Sequence, residues 1–235
     1  IAGAELTIGL LPADPQGDRT MKKAFLIFLM IFGSAMATAK PLGVAIWEPT
    51  PGKAPQMIAS AQAAAEIHRS LGATVAMHLD TLGRLHYVVT FEDWDGWARF
   101  NEALPTSDAW RQWQGRAAAD PAAKQVENYF MEEVVSPEAP GRFTQIYLWE
   151  PLNGNVTAFL RDARQAREIH EAAGIDIGIN VDQMNRVHYV MSYPSHAAFA
   201  AQRKAPNADF QAFSQRFSAA PVGRLLEVYT VTALP

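Results

Sequence analysis

Apolar and polar positions in residues 40–137 follow two periods in turn. Val44 to Trp47 is a short strand-like run stopped by Pro49. Met57 to Leu71 is Ala-rich, has no internal Gly or Pro, and ends at Gly72, the residue type expected just past a helix C-terminus. Thr74 to Leu79 then alternates with Val75, Met77 and Leu79 on one face. Arg84 to Phe91 puts Leu85, Tyr87, Val89 and Phe91 on one face, with Leu82-Gly83 as the turn between the two runs. Asp93 to Leu104 and Ser107 to Ala119 read as a helix broken at Pro105, anchored by Trp94, Trp97, Trp110 and Trp113, and Lys124 to Val134 as a last strand. The predicted order is β-α-β-β-α-β.

The same order is written a second time. RLHYVVTF at 84–91 returns as RVHYVMSY at 186–193, and Trp47-Glu48-Pro49 as Trp149-Glu150-Pro151, both at a spacing of 102 residues. That spacing holds for His68/His170, Gly72/Gly174, Asp80/Asp182 and Tyr87/Tyr189. It becomes 100 for Pro121/Pro221, Glu127/Glu227 and Tyr129/Tyr229, as a two-residue deletion in the second half predicts. Repeats this long are whole domains, so the reading is a tandem duplication with one repeat over 40–137 and a second over 138–235. The order of elements is the ferredoxin-like split βαβ pattern. Two such halves, each with an interrupted, aromatic-bearing second helix, resemble the dimeric α/β-barrel superfamily, in which two four-stranded sheets pack face to face. The resemblance implies an α+β fold whose antiparallel sheets close an intrachain barrel, where most members use two chains. Members include cofactor-independent monooxygenases, haem-degrading and chlorite-dismutase-like haem proteins, and stress-response proteins, so the fold alone does not choose a function.

If helices cover one face of each sheet, strand alternation sends the other face into the barrel. Arg84 and His86, with Arg186 and His188, then point inward. Taking Val44 and Ile46 as helix-facing places Trp47 inward, and likewise Tyr147 and Trp149. His78, with Asn180 as its counterpart, follows by the same parity, and Glu127, Tyr129, Glu227 and Tyr229 complete the lining. Concave, aromatic-rich surroundings with a few convergent polar groups are where ligands bind. The competing expectation is that Arg84 pairs with Glu127 and Arg186 with Glu227, leaving the interior self-neutralised. His68 and His170 fall on the apolar stripes of their helices, which predicts packing histidines near helix C-termini, where positive charge is favoured.

Composition narrows the picture. A net charge of −4 with scattered Lys and Arg gives no footprint for nucleic acid. Met21-Lys22-Lys23, the apolar run Ala24 to Phe32 and small residues around Ala37 read as a secretory signal peptide at 21–39, too short an apolar run to span a bilayer. Residues 1–20 are expected to be a non-native upstream extension, and the mature chain to be periplasmic or secreted, without a stable membrane anchor. With no cysteine, stability must come from the packed core. Phosphate-loop, nucleophile-elbow, zinc-protease and dinucleotide signatures are absent.

Three functions are compatible with this reading. One is a small-molecule-binding barrel with its ligand between the sheets. Another is a cofactor-independent monooxygenase-like enzyme, in which His86 deprotonates an aromatic substrate, Arg84 stabilises the anion and Trp47 and Trp149 hold the ring; its haem-dependent variant uses His86 or His188 as axial ligand. The third is a structural or interaction protein with a self-paired interior. No metal site or obligatory cofactor is indicated, and the chain is expected to be a monomer or homodimer.

Overall fold

The computed structural model describes residues 39–138, 141–204 and 207–234. The expected upstream extension and all but the last residue of the expected signal peptide lie outside them. The described residues form β1 (Lys40–Pro49), α1 (Ala54–Ser70), β2 (Thr74–Asp80), β3 (Leu85–Thr90), α2 (Trp94–Ala103), α3 (Asp108–Ala119) and β4 (Ala123–Val135). The second half follows with β5 (Phe143–Pro151), α4 (Val156–Ala172), β6 (Asp176–Asp182), β7 (Val187–Tyr193), α5 (His196–Lys204), α6 (Ala208–Ala219) and β8 (Gly223–Ala233). Each half is thus β-α-β-β-α-α-β. Pro105 sits in a 3₁₀ turn, Leu104–Thr106, that separates α2 from α3.

Local chemistry sets the element ends. Helix α1 starts three residues before the apolar stripe, with Pro55 in its first turn, where a missing N–H costs nothing. Gly72 and Gly174, at φ 91° and 79°, follow the helix ends in the left-handed region. Side chains of Asp93, Ser107, Asn155 and Asn207 accept hydrogen bonds from first-turn amides of α2, α3, α4 and α6.

All eight strands pair antiparallel in one closed barrel, in the order β1-β3-β2-β8-β5-β7-β6-β4. The halves meet at two seams. At one, His78–Asp80 of β2 pair with Val231–Ala233 of β8; at the other, Met131–Val135 of β4 pair with Ile179–Asp182 of β6. Outside the barrel, each half has its own core. Met57, Ala61, Ala64 and Ala65 of α1 pack on Val75, Met77, Leu85 and Tyr87, and Phe159, Ala163 and Ala166 of α4 pack on Ile177, Ile179, Tyr189 and Met191.

Inside the barrel lie Leu42, Val44, Ile46 and Met131, with Val88 and Tyr129 against them. The parity expected for β1 and β5 is therefore inverted. Ile46 pairs with inward-facing His86 and Trp47 with helix-facing Leu85; Leu148 pairs with His188 and Tyr147 with Tyr189. Trp47, Tyr147 and Trp149 consequently face the helices and not the barrel. Both strands carry apolar side chains at both parities, so polarity does not reveal their orientation.

Candidate functional site

Asp80 closes β2, and the turn after it bends the chain so that four polar groups converge on its buried carboxylate. Oδ1 accepts the backbone N–H of Leu82 and of Arg84, both at 2.9 Å; Oδ2 accepts Arg84 Nε at 2.6 Å and lies 3.2 Å from His86 Nε2. The second half repeats this arrangement. Asp182 accepts from Met184 and Arg186 amides at 2.9 Å and from Arg186 Nε at 2.7 Å, and lies 3.2 Å from His188 Nε2. Burial alone would raise both carboxyls, but the hydrogen bonds and the guanidinium outweigh it and hold them below the ordinary carboxylate value. Burial lowers His86 more than Asp80 raises it.

These clusters interlock across the halves. The Tyr229 ring stacks on His86 at 5.4 Å, and Tyr129 meets His188 edge-on at 5.4 Å with Arg186 5.2 Å over its ring. The Tyr129 hydroxyl donates to Glu127. His78 pairs with His86 across β2 and β3, and burial, then the neighbouring His86, lowers it to about 4. The expected pairs Arg84–Glu127 and Arg186–Glu227 are replaced by Arg84–Asp80 and Arg186–Asp182, because the carboxylate four residues before each arginine lies on the same hairpin. Arg84, Glu227 and Tyr229 line a cleft of about 270 Å³ at the β2–β8 seam. Its Asp80 and Arg84 already satisfy each other, and its single aromatic ring is committed to His86. Asp80 and Asp182 stand outside the expected lining, although a D-x-x-x-R-x-H spacing in both halves carries the signal.

A second cavity lies on the other side of the sheet. Between the outer face of β5 and β7 and helices α4, α5 and α6 is a pocket of about 190 Å³. Tyr147, Trp149, Phe159, Tyr189, Tyr193, Phe210, Phe213 and Phe217 surround it with rings, and Gln145, Asp162, His170, Gln202, Arg203 and Ser214 supply polar atoms. Tyr147 and Trp149 of the expected set thus line a pocket, but under the helices. Trp149 packs on Phe159 and Phe217, both at 5.6 Å.

His170 is the imidazole in this pocket. Its Nδ1 lies 2.8 Å from the Tyr189 hydroxyl, and its ring is 4.6 Å from Phe210. Burial lowers it to about 4, so the expected positive charge at this helix C-terminus is overturned by desolvation. His68, its counterpart, keeps the same bond to Tyr87 at 3.0 Å and is also lowered to about 4 by burial. There, however, Phe100 and Trp110 press against the ring at 5.2 and 4.8 Å, and His68 Nε2 is buried without a partner.

Neither large family of donor sets appears among the described residues: no group of three His, Asp or Glu is poised around one metal, and no helix is long and apolar enough to cross a membrane. No family model and no curated protein matches the sequence. Solved structures do match the fold. A candidate monooxygenase from Fusobacterium nucleatum aligns over 85% of this chain and 94% of its own, with a TM-score of 0.62 and 11% identity. An anthrone oxidase-like protein covers 86% and 94%, with a TM-score of 0.56 and 12% identity. A candidate chlorite dismutase covers 84% and 96%, with a TM-score of 0.51 and 10% identity. At such identities the likeness is one of architecture, and by it this chain has the ferredoxin-like α+β barrel fold.

Proposed function

We propose that this protein is a monooxygenase-like enzyme that binds a small aromatic molecule under the helices of its second half. The observation that carries the reading is the ring-lined pocket with His170 in its wall. An apolar cavity of about 150 Å³ accommodates benzene, so about 190 Å³ suits one substituted ring. Monooxygenase-named and anthrone oxidase-like neighbours share the fold and support the oxidative reading.

The chemistry is that of an electron-rich phenol with dioxygen as co-substrate. With Nδ1–H donating to the Tyr189 oxygen, His170 Nε2 carries a lone pair, and burial keeps it unprotonated before substrate arrives. It takes the phenolic proton, and the phenolate formed beside it favours the imidazolium. The electron-rich ring gives four electrons to dioxygen; one oxygen atom enters the ring and the other leaves as water, so phenol plus dioxygen yields quinone plus water. Tyr189 positions the imidazole, and the surrounding rings exclude water.

Haem does not fit these residues. His86 and His188 each point Nε2 at a buried aspartate and have a tyrosine ring against them. The pocket at His170 is below the roughly 300–1,000 Å³ that holds a drug-sized ligand, and a porphyrin is larger still. The barrel interior, with its Asp–Arg pairs, acts in this reading as scaffold.

The test is oxygen uptake with one-ring dihydroxy and trihydroxybenzenes. The wild-type chain should consume dioxygen and release quinone, His170→Gln should lose at least tenfold in rate, as for a lost general base, and His68→Gln should not. Equal rates for wild type and His170→Gln would defeat the assignment. Export is part of the proposal, supported by the pattern at 21–39; N-terminal sequencing of the periplasmic protein should begin near Lys40.

A further inference from the structure

The two halves treat the space beside their buried histidine differently. In the first half Phe100, Trp110 and Trp113 fill it: Trp113 stacks on Trp110 at 4.6 Å and its Nε1 donates to Ser60 O at 2.9 Å. At the matching places of the second half stand Gln202, Phe210 and Phe213, and next to Gln202 comes Arg203, where the first half has Asn101. Two indoles become phenyl rings and a phenyl becomes an amide. The volume given up is the pocket.

Arg203 is a solvent-exposed member of that lining. Among the described residues it has no hydrogen-bond or ion-pair partner, whereas Asp162, the carboxylate in the same wall, is held by Arg161 Nε at 2.9 Å. Arg203 lines the pocket with Tyr147 and Tyr193, whose phenols burial pushes up, with the arginine charge opposing that shift only in part. The Tyr147 hydroxyl donates to Gln145 at 2.6 Å, while that of Tyr193 meets only the Met191 thioether, at 4.0 Å. An unpaired guanidinium and a poorly engaged hydroxyl at one side of a ring-lined cavity make an anion receptor.

We infer that the ligand is a one-ring aromatic acid, its ring among the phenylalanines and its carboxylate received by Arg203 with the Tyr193 hydroxyl. This rests on the second-half pocket being the ligand site, and it names the class of molecule that site selects.

Calorimetric titration of the full chain with phenylacetate and with its neutral analogue phenylacetamide tests it. Phenylacetate should bind about tenfold tighter, the worth of one charge-assisted hydrogen bond. Arg203→Gln should bring the acid level with the amide. The variant Gln202→Phe with Phe210→Trp and Phe213→Trp, which copies the first half, should bind neither, with its thermal melt showing that it folds. Equal affinities in the wild type, or a preference that survives Arg203→Gln, overturn the anion receptor while the pocket stands. Binding of both probes by the filled variant, or of neither by the wild type, overturns the pocket itself and the inference with it.

Discussion

Asp80 and Asp182 show how one side chain can determine a whole hairpin. Each accepts two turn amides and one arginine from inside the protein and touches a histidine, so neither oxygen has spare capacity. Replacing such a carboxylate by an amide puts donors where only acceptors are satisfied. Asp80→Asn should therefore cost about 3 kcal/mol, read by urea unfolding. Protonation makes a second statement at this scale. His68, His78 and His170 are lowered by burial from 6.5 to about 4. Between those values the unfolded chain binds more protons than the folded one, so stability is full above pH 6.5 and falls as pH drops through 4. Melting temperature should be flat from pH 7 to 8 and decline steeply from 6 to 4, and His68→Gln should make the decline shallower. Much of this was legible as spacing: Arg84, His86, Arg186 and His188 were placed inward by alternation alone. Their partner was not, because a turn aspartate looks solvent-exposed until the turn is closed around it.

Strands β1 and β5 mark where pattern stopped being informative. Alternation worked for β2, β3 and β7, whose two faces differ in polarity, and failed for β1 and β5, which carry apolar side chains on both. The bulges opposite them add to the difficulty. Ile46 pairs with Glu127 but Trp47 with Gln125, skipping Val126, and Leu148 pairs with Glu227 but Trp149 with Leu225, skipping Leu226. The extra residue bends the strand and leaves exposed the two skipped apolar side chains. Just beyond the second bulge, Gly223 lies against the pocket wall: a Cβ there would come within 2.4 Å of the Phe159 ring. Gly223→Ala should cost about 2 kcal/mol and push Phe159 into the cavity. A chemical melt would read the first effect and loss of phenylacetate binding the second. The cavity could not be foreseen from periodicity, since it arises from a difference in ring size between matched helices.

On the scale of the molecule, the halves do not stand side by side but complete one another. Each contributes its last strand to a seam with the other, and each lays a tyrosine on the other's histidine. Neither half can close a barrel without that exchange, so residues 39–234 should unfold as one unit. Five of the six tryptophans, Trp47, Trp94, Trp97, Trp110 and Trp113, lie in the first half. Their fluorescence and the far-ultraviolet dichroism of the whole should then trace one coincident urea transition; separated midpoints would mean independent halves. A barrel made by two identical chains must carry every pocket twice, because symmetry copies each substitution. Here the indoles of α3 close one copy and the smaller rings of α6 open the other. Saturation should come at one equivalent per chain along a simple hyperbola, with no cooperativity, and selection can reshape the open face without disturbing the closed one.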